Sequence, residues 1–101
     1  MAGKKRKIDW TPRAVSDKIA IMEYWRNRNH SMNFPIKLEK LFNDSLELLS
    51  IQPEMGLTFS KSPNIKYKAI RGYRLYYLFD PQTLTLLTIW DTRRNLEKIK
   101  L

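Results

Sequence analysis

Hydrophobic positions in the N-terminal half of the chain recur every three or four residues, which is the period of an amphipathic helix. This pattern predicts a first helix from Thr11-Pro12 to about Asn29. Thr caps free amide groups and Pro is tolerated at the first helical position, so both residues favour a helix start here. The charged residues lie mostly off its apolar face. That face, predicted to belong to the core, consists of Val15, Ile19, Met22 and Trp25.

A second helix is predicted from about Phe34-Pro35 to Ile51, after a polar break at residues 29–33. Gln52-Pro53 ends it, because the residue before a proline disfavours helical geometry. Two amphipathic helices joined by so short a break form an αα-hairpin. The apolar face of the second helix consists of Phe34, Leu38, Leu41, Phe42, Leu48 and Leu49.

An alternating pattern of period two predicts strands at both ends of the chain. Two tight turns separate the last three strands, at Arg71-Gly72 and at Asp80-Pro81. Residues 57–59 are a brief strand or a loop, and residues 98–101 are a short helix or a docked tail. The predicted strands are Lys4–Trp10, Ile65–Ile70, Tyr73–Phe79 and Leu84–Trp90.

The resulting order is β-α-α-β-β-β, which indicates an α+β fold. A chain of 101 residues fits a single domain with one core, so residues 1–101 are assigned to one domain. The N-terminal αα-hairpin is expected to pack on one face of a small antiparallel sheet. The other face, rich in tyrosine and basic residues, is expected to be free for a partner.

Charge narrows the class of partner. The formal net charge is +9 and the isoelectric point is about 10.0, which suggests nucleic acid, an acidic protein segment or an anionic membrane surface. There are no cysteines, so disulfides and thiolate chemistry are excluded. No apolar run approaches the ~18 residues that a membrane helix needs. The charged segment Lys4–Lys7 has no apolar signal core behind it, so a soluble, cytoplasmic protein is expected.

The sequence contains no familiar hydrolase constellation. His30 is the single histidine, and one histidine without cysteines or well-spaced carboxylates cannot hold zinc. The three glycines are isolated from one another, so there is no glycine-rich phosphate loop. We therefore expect neither a metal nor a cofactor.

Cations are the candidate site residues. Between Lys61 and Arg74 lie five Lys or Arg residues and no acidic residue. In an antiparallel hairpin the turn at Arg71 should lie near the end of the last strand, so Arg71 and Arg93 should come close together. Guanidinium groups bind phosphate in bidentate fashion, and nearby tyrosines such as Tyr67 and Tyr76 are candidates to stack on bases. The predicted nucleic-acid-binding residues are Lys66, Lys68, Arg71, Arg74, Arg93 and Arg94. The alternative is an ordinary basic strand facing solvent.

Four segments in this order resemble the RelE/ParE family of toxins from bacterial type II toxin–antitoxin systems. They are IDWTPRA at residues 8–14, FPIKL…LL in the second helix ending at Pro53–Gly56, YRLYYLFD at residues 73–80, and LTIWDTRRN at residues 87–95. The resemblance covers nearly the whole chain. It implies an αα-hairpin on a small antiparallel sheet and a small, acidic cognate antitoxin as partner.

The resemblance also implies a target. Many members cut messenger RNA on the ribosome, and others poison DNA gyrase. Lys68 or Arg71 falls near the basic position before the tyrosine-rich strand, and Arg93 falls at the basic position after the last strand. Where family nucleases often carry His, this chain has Asp91 or Thr92, and no Tyr follows Trp90. The catalytic candidates are Arg71, Arg93 and Asp91, with Asp91 acting as a base or orienting an arginine.

The function expected from the sequence is that of a toxin that inhibits translation by ribosome-dependent cleavage of messenger RNA. One alternative is a gyrase-poisoning toxin, which needs no catalytic residue. Another is a basic nucleic-acid-binding module without toxicity.

Overall fold

The computed structural model describes residues 4–101. Helix α1 spans Pro12–Asn29 and helix α2 spans Asn33–Ile51. The five strands are β1 Lys7–Trp10, β2 Leu57–Thr58, β3 Lys66–Ile70, β4 Tyr73–Phe79 and β5 Thr83–Asp91. Short 3-10 helices occupy Pro53–Met55 and Leu96–Lys98. The α+β class and the order of the elements are confirmed, and the brief segment after α2 is the edge strand β2.

The sheet has the strand order β1-β5-β4-β3-β2. Strands β2 to β5 are antiparallel, as predicted, but β1 lies parallel to β5. The chain can join β5 in this direction because the αα-hairpin and three strands intervene between β1 and β5, and a parallel pair needs a long connection. Before β1, the Arg6 N–H donates to the Ser50 carbonyl at 3.0 Å, so pairing with the sheet begins only at Lys7.

Helix α1 starts as its sequence predicts, because the Thr11 side chain accepts a hydrogen bond from the Ala14 N–H at 3.0 Å. Its predicted core face is partly wrong. Val15 is 43% exposed and Ile19 is 53% exposed, whereas Ala14 is fully buried. The predicted core face of α2 is wrong at one residue, Leu48, which is exposed. The other residues predicted for that face pack in the core.

A bulge in β5 explains how α1 is oriented. Tyr76 pairs with Thr88 and Tyr77 pairs with Leu86, so Leu87 is an extra residue in β5. Thr11 Oγ1 donates to the Leu87 carbonyl at 2.8 Å.

Asp17, one turn and a half along α1, accepts a hydrogen bond from the Ile89 N–H at 3.1 Å and another from the Thr88 hydroxyl. The carboxylate therefore faces the sheet, and Val15 and Ile19 are turned toward solvent.

The core has two parts. On the helix side, α1 and α2 cover residues of β3, β4 and β5. The sequence had predicted that the opposite face of the sheet would be free for a partner. That prediction is wrong in part, because a second hydrophobic cluster covers some of this face. Ile99 is only 3% exposed there, so the chain end is a docked tail. This second cluster consists of Phe59, Ile65, Tyr76, Trp90 and Ile99.

Tyr77 joins β4 to the segment that follows α2. Its hydroxyl donates to the Pro53 carbonyl at 2.6 Å and accepts from the Gly56 N–H at 3.1 Å. Burial raises the pKa of Tyr77 to about 12. The tyrosine needs glycine beside it, because a Cβ at Gly56 would overlap the Tyr77 hydroxyl and lie 2.9 Å from its Cζ.

Replacing Tyr77 by Phe is expected to lower the free energy of unfolding by about 1–3 kcal/mol near pH 8, because the Pro53 carbonyl loses its buried partner. The folded-state pKa of about 12 lies above the ordinary value of 10.0. The phenol's contribution is therefore complete below about pH 10 and is lost as the pH rises through about 12. Urea unfolding of both proteins at several alkaline pH values checks this. A difference between them that stayed constant with pH would contradict it.

Candidate active site

The open end of the β4–β5 hairpin brings two segments together, the β3–β4 turn and the residues at and after the end of β5. The β3–β4 turn adopts positive φ at Arg71 and Gly72, with values of 50° and 84°. Tyr73 pairs with Asp91, the last residue of β5. The Thr92 N–H and hydroxyl then donate to the Gly72 carbonyl at 2.9 and 2.7 Å. The turn is thereby held against the residues that follow β5.

Asp91 and Arg93 form a close ion pair at this end. Arg93 Nη2 lies 2.6 Å from Asp91 Oδ2, and Arg93 Nε lies 3.1 Å from both carboxylate oxygens. Contact with Arg93 lowers the pKa of Asp91, and contact with Asp91 raises the pKa of Arg93. The carboxylate therefore orients the guanidinium, one of the two roles considered from the sequence. A carboxylate of lowered pKa is a weak proton acceptor.

Two adjoining clefts meet at Arg93. The smaller, of about 190 Å³, lies beside Trp25 and Arg71. The larger, of about 200 Å³, lies between α1 and the end of β5, and we call it the Arg93 cleft. The structure thus brings Arg71, Arg93 and Arg94 to one end of the sheet. The hairpin argument had predicted the closeness of Arg71 and Arg93 and had not included Arg94. The polar and charged residues that line the Arg93 cleft are Asp17, Tyr24, Tyr73, Asp91, Arg93 and Arg94.

Sequence reasoning missed two residues of this region, Tyr24 and Arg28. Arg28 Nη1 lies 3.5 Å from the Tyr24 hydroxyl, and Arg93 Cζ lies 5.4 Å from the centroid of the Tyr24 ring. The contact with Arg93 lowers the pKa of Tyr24, and Arg28 acts in the same direction. The spacing of four residues between Tyr24 and Arg28 was the available signal, because such residues are neighbours on a helix.

The other predicted cations do not join this group. Lys66 and Lys68 pair with Tyr77 and Leu75, so they lie on the helix side of β3. Arg74 lies on the opposite face.

On that face the Arg74 Cζ lies 4.2 Å from the centroid of the Tyr67 ring. Arg74 also donates to the Tyr76 hydroxyl at 3.2 Å. Tyr76 is completely buried, so the prediction that it stacks on bases is wrong. Arg94 reaches both regions, since it lines the Arg93 cleft and stacks 4.1 Å over the Trp90 ring.

Within residues 4–101, no three His, Cys, Asp or Glu side chains are grouped so that they could hold a metal ion. Across the same residues, no helix combines the length and the apolar character that crossing a membrane requires.

Comparison with known proteins adds two findings. A family described as the ParE toxin of the type II toxin–antitoxin system parDE matches residues 8–96. A chain from the chromosomal ParDE toxin–antitoxin system of P. aeruginosa has a similar structure, with a TM-score of 0.72 and 13% sequence identity. The similarity covers 86% of this chain and 96% of the other, and it establishes the fold. No match was found among curated proteins.

Replacing Arg93 by Ala is expected to raise the pKa of Tyr24 toward its ordinary value, because the strongest contact that favours the phenolate is lost. Tyrosinate absorbance during an alkaline titration measures this, with Tyr24→Phe identifying the contribution of Tyr24. Arg26→Ala, which removes an exposed arginine elsewhere on α1, is the control and should leave the titration unchanged. If Arg93→Ala and Arg26→Ala titrate alike, the contact between Arg93 and Tyr24 does not exist in solution.

Proposed function

This chain belongs to the ParE toxin family of type II toxin–antitoxin systems, and we propose that it arrests growth until a cognate antitoxin binds it, with cutting of messenger RNA on the ribosome as its mechanism. One observation carries the proposed reaction: three arginines and an exposed tyrosine meet at the open end of the β4–β5 hairpin. The three arginines are Arg71, Arg93 and Arg94.

Cleavage by attack of a ribose 2′-hydroxyl builds negative charge on the phosphate, and fixed cations stabilise that charge. Arg93 suits this role because Asp91 holds its guanidinium in one orientation, while the side chain remains 61% exposed. Arg71 lies beside it on a turn that Thr92 fixes to the rest of the hairpin. A phosphodiester placed between the two clefts would therefore lie within reach of two guanidinium groups.

A second candidate is gyrase poisoning, which a specific observation favours. Asp91 offsets part of the charge of Arg93, and Lys66, Lys68 and Arg74 lie away from the three arginines. A toxin that acts only by binding its target does not need its cations to converge on one phosphate. A non-toxic nucleic-acid-binding module is the third candidate, and a growth assay separates it from the other two.

The antitoxin is proposed to be small and acidic. A protein of net charge +9 attracts an acidic chain, and Val15 and Ile19 expose apolar surface on α1. An amphipathic helix could cover this surface, and an extended segment could add a strand at the short edge strand β2. Both modes bury apolar surface while placing acidic side chains near lysines and arginines.

Induced expression without antitoxin is expected to arrest growth, with early loss of translation and cut messenger RNA. Arg93→Ala should weaken toxicity strongly, because losing a cation that stabilises phosphate charge can cost on the order of 3 kcal/mol of barrier, about a hundredfold in rate. Its thermal stability should change little, since truncating an exposed side chain alters stability by about ±0.5 kcal/mol. Growth curves, RNA analysis and melting temperatures measure these effects.

A control on α1 must lie away from Tyr24, which excludes Arg28 because Arg28 contacts the Tyr24 hydroxyl. Arg26→Ala is the matched control and should remain fully toxic. DNA-damage signalling with intact messenger RNA would support gyrase poisoning instead. Normal growth with abundant folded protein would contradict both toxin mechanisms. Equal toxicity of Arg93→Ala and Arg26→Ala at equal stability would place the site elsewhere.

Antitoxin binding is expected to slow as salt concentration rises, because exposed charges steer the encounter and salt screens them. Stopped-flow measurement of the association rate between roughly 0.05 and 0.5 M salt tests this over the range in which screening changes most. The dissociation rate should change much less. An association rate independent of salt would show that the charge of +9 plays no part in recognition.

A further inference from the structure

A pocket of about 270 Å³ lies on the face of the sheet opposite the helices, and it shares no lining residue with the Arg93 cleft. Its walls come from three parts of the chain: the end of β2 with the loop after it, the strands β3 and β4, and the segment after β5. We call it the Tyr67 pocket. The residues that give it its chemistry are Ser60, Lys61, Tyr67, Arg74, Tyr76 and Glu97.

The floor of the Tyr67 pocket is aromatic. The Phe59 and Tyr76 rings meet edge-on with their centroids 5.1 Å apart, and the Tyr67 and Tyr76 centroids are 5.3 Å apart. Phe59 and Tyr76 are buried, whereas Tyr67 is half-buried and forms the accessible part of the floor. Because flat rings pack well against aromatic side chains, this floor favours a ligand that contains a planar ring.

Arg74 lies over the accessible ring. Its Cζ atom is 4.2 Å from the Tyr67 centroid, and its Nη1 donates to the Tyr76 hydroxyl at 3.2 Å. These two contacts hold the guanidinium in place with one of its faces on the tyrosine. Among residues 4–101 no carboxylate forms an ion pair with Arg74, so its positive charge, unlike that of Arg93, is not offset. A fixed guanidinium plane is a surface on which a nucleobase stacks.

A second cation lies at the rim of the pocket. The Lys61 ammonium donates to the backbone carbonyl of Glu97, which connects the loop after β2 to the segment after β5. A carbonyl does not neutralise the lysine, so the pocket combines two cations with one carboxylate, that of Glu97. The hydroxyl-bearing residues Thr58 and Ser60 line the same pocket and can hydrogen-bond to a sugar or to a base edge.

We propose that the Tyr67 pocket binds one nucleotide unit, with its base stacked on Arg74 and its phosphate beside Lys61. The volume is just below the ~300–1,000 Å³ of typical small-ligand sites, which suits one base with its sugar. This binding does not depend on the reaction proposed for the Arg93 cleft, and no bond is made or broken in it. A free mononucleotide and a nucleotide of a single strand share this chemistry.

Isothermal titration calorimetry of the full chain with AMP tests the proposal. Adenosine, which lacks the phosphate, and ribose 5-phosphate, which lacks the base, should both bind more weakly than AMP. Arg74→Ala should weaken AMP binding by about 5- to 150-fold, the effect of losing one stacking contact with a base. Arg74→Lys keeps the charge without the flat face, so it should weaken binding nearly as much. Lys61→Ala should weaken binding of AMP and leave binding of adenosine unchanged.

Arg26→Ala, which removes an exposed arginine of α1, is the control and should bind AMP as the wild type does. Equal affinities of Arg74→Ala and Arg26→Ala, at equal melting temperatures, would show that AMP binds elsewhere and would overturn the proposal. Equal affinities of the wild type for AMP and ribose 5-phosphate would contradict base stacking. The absence of binding to both AMP and a short single-stranded DNA at millimolar concentration would also overturn it.

The short single-stranded DNA also identifies the source of the nucleotide. If it binds far more tightly than AMP and its binding still depends on Arg74, the pocket holds a nucleotide of a strand. If it binds no more tightly than AMP, the ligand is a free mononucleotide. Toxicity plays no part in these measurements, so a failure of the proposed messenger RNA cleavage and a failure of nucleotide binding are observed separately.

Discussion

The hydrogen bonds between α1 and the bulge of β5 determine how the two layers of this protein are arranged. The extra residue Leu87 leaves backbone groups of β5 outside the regular ladder. Thr11 and Asp17 satisfy groups at this point, one at the start of the helix and one in its second turn. A buried backbone group without a partner is costly, so these bonds leave little freedom to rotate α1 about its axis. Tyr24, seven residues beyond Asp17 and roughly 10 Å further along the helix, therefore lies over the hairpin end.

The candidate site inherits its rigidity from the same framework. Asp91 is the last residue of β5, and its side chain is only 22% exposed, so it is a firm base for the Arg93 guanidinium. An ion pair on the surface contributes little to stability because water screens it. The value of this pair lies in orientation: it turns a flexible arginine into a positioned cation, at the expense of part of its net charge. Arg71 and Arg94 add positive charge at the same end of the hairpin, where Asp91 offsets part of the charge of Arg93.

The second core cluster changes the interpretation of the high net charge. With Ile99 and Trp90 packed against Tyr76, the sheet face opposite the helices is partly closed. Arg74 is bound to aromatic groups on that face, while Lys66 and Lys68 project on the helix side. These basic residues therefore lie on different faces of the sheet and do not form one continuous surface. Such a distribution suits general attraction to anionic partners, and it leaves specific chemistry to the cluster at the hairpin end.

The sequence by itself determined the elements, their order and the closeness of Arg71 to Arg93, because periodicity, caps and turns are local and β-hairpin pairing follows from the turn. It did not determine which stripe of α1 faces the sheet. Val15 and Ile19 are apolar and Asp17 is charged, so the sequence favours burial of the side of α1 that carries Val15 and Ile19. In the structure Asp17 is the residue that faces β5. The reason lies about 70 residues away along the chain, where the Thr88 hydroxyl and the Ile89 amide beside the bulge both donate to one oxygen of the Asp17 carboxylate. The tertiary structure alone therefore decided that Tyr24 would join the arginines.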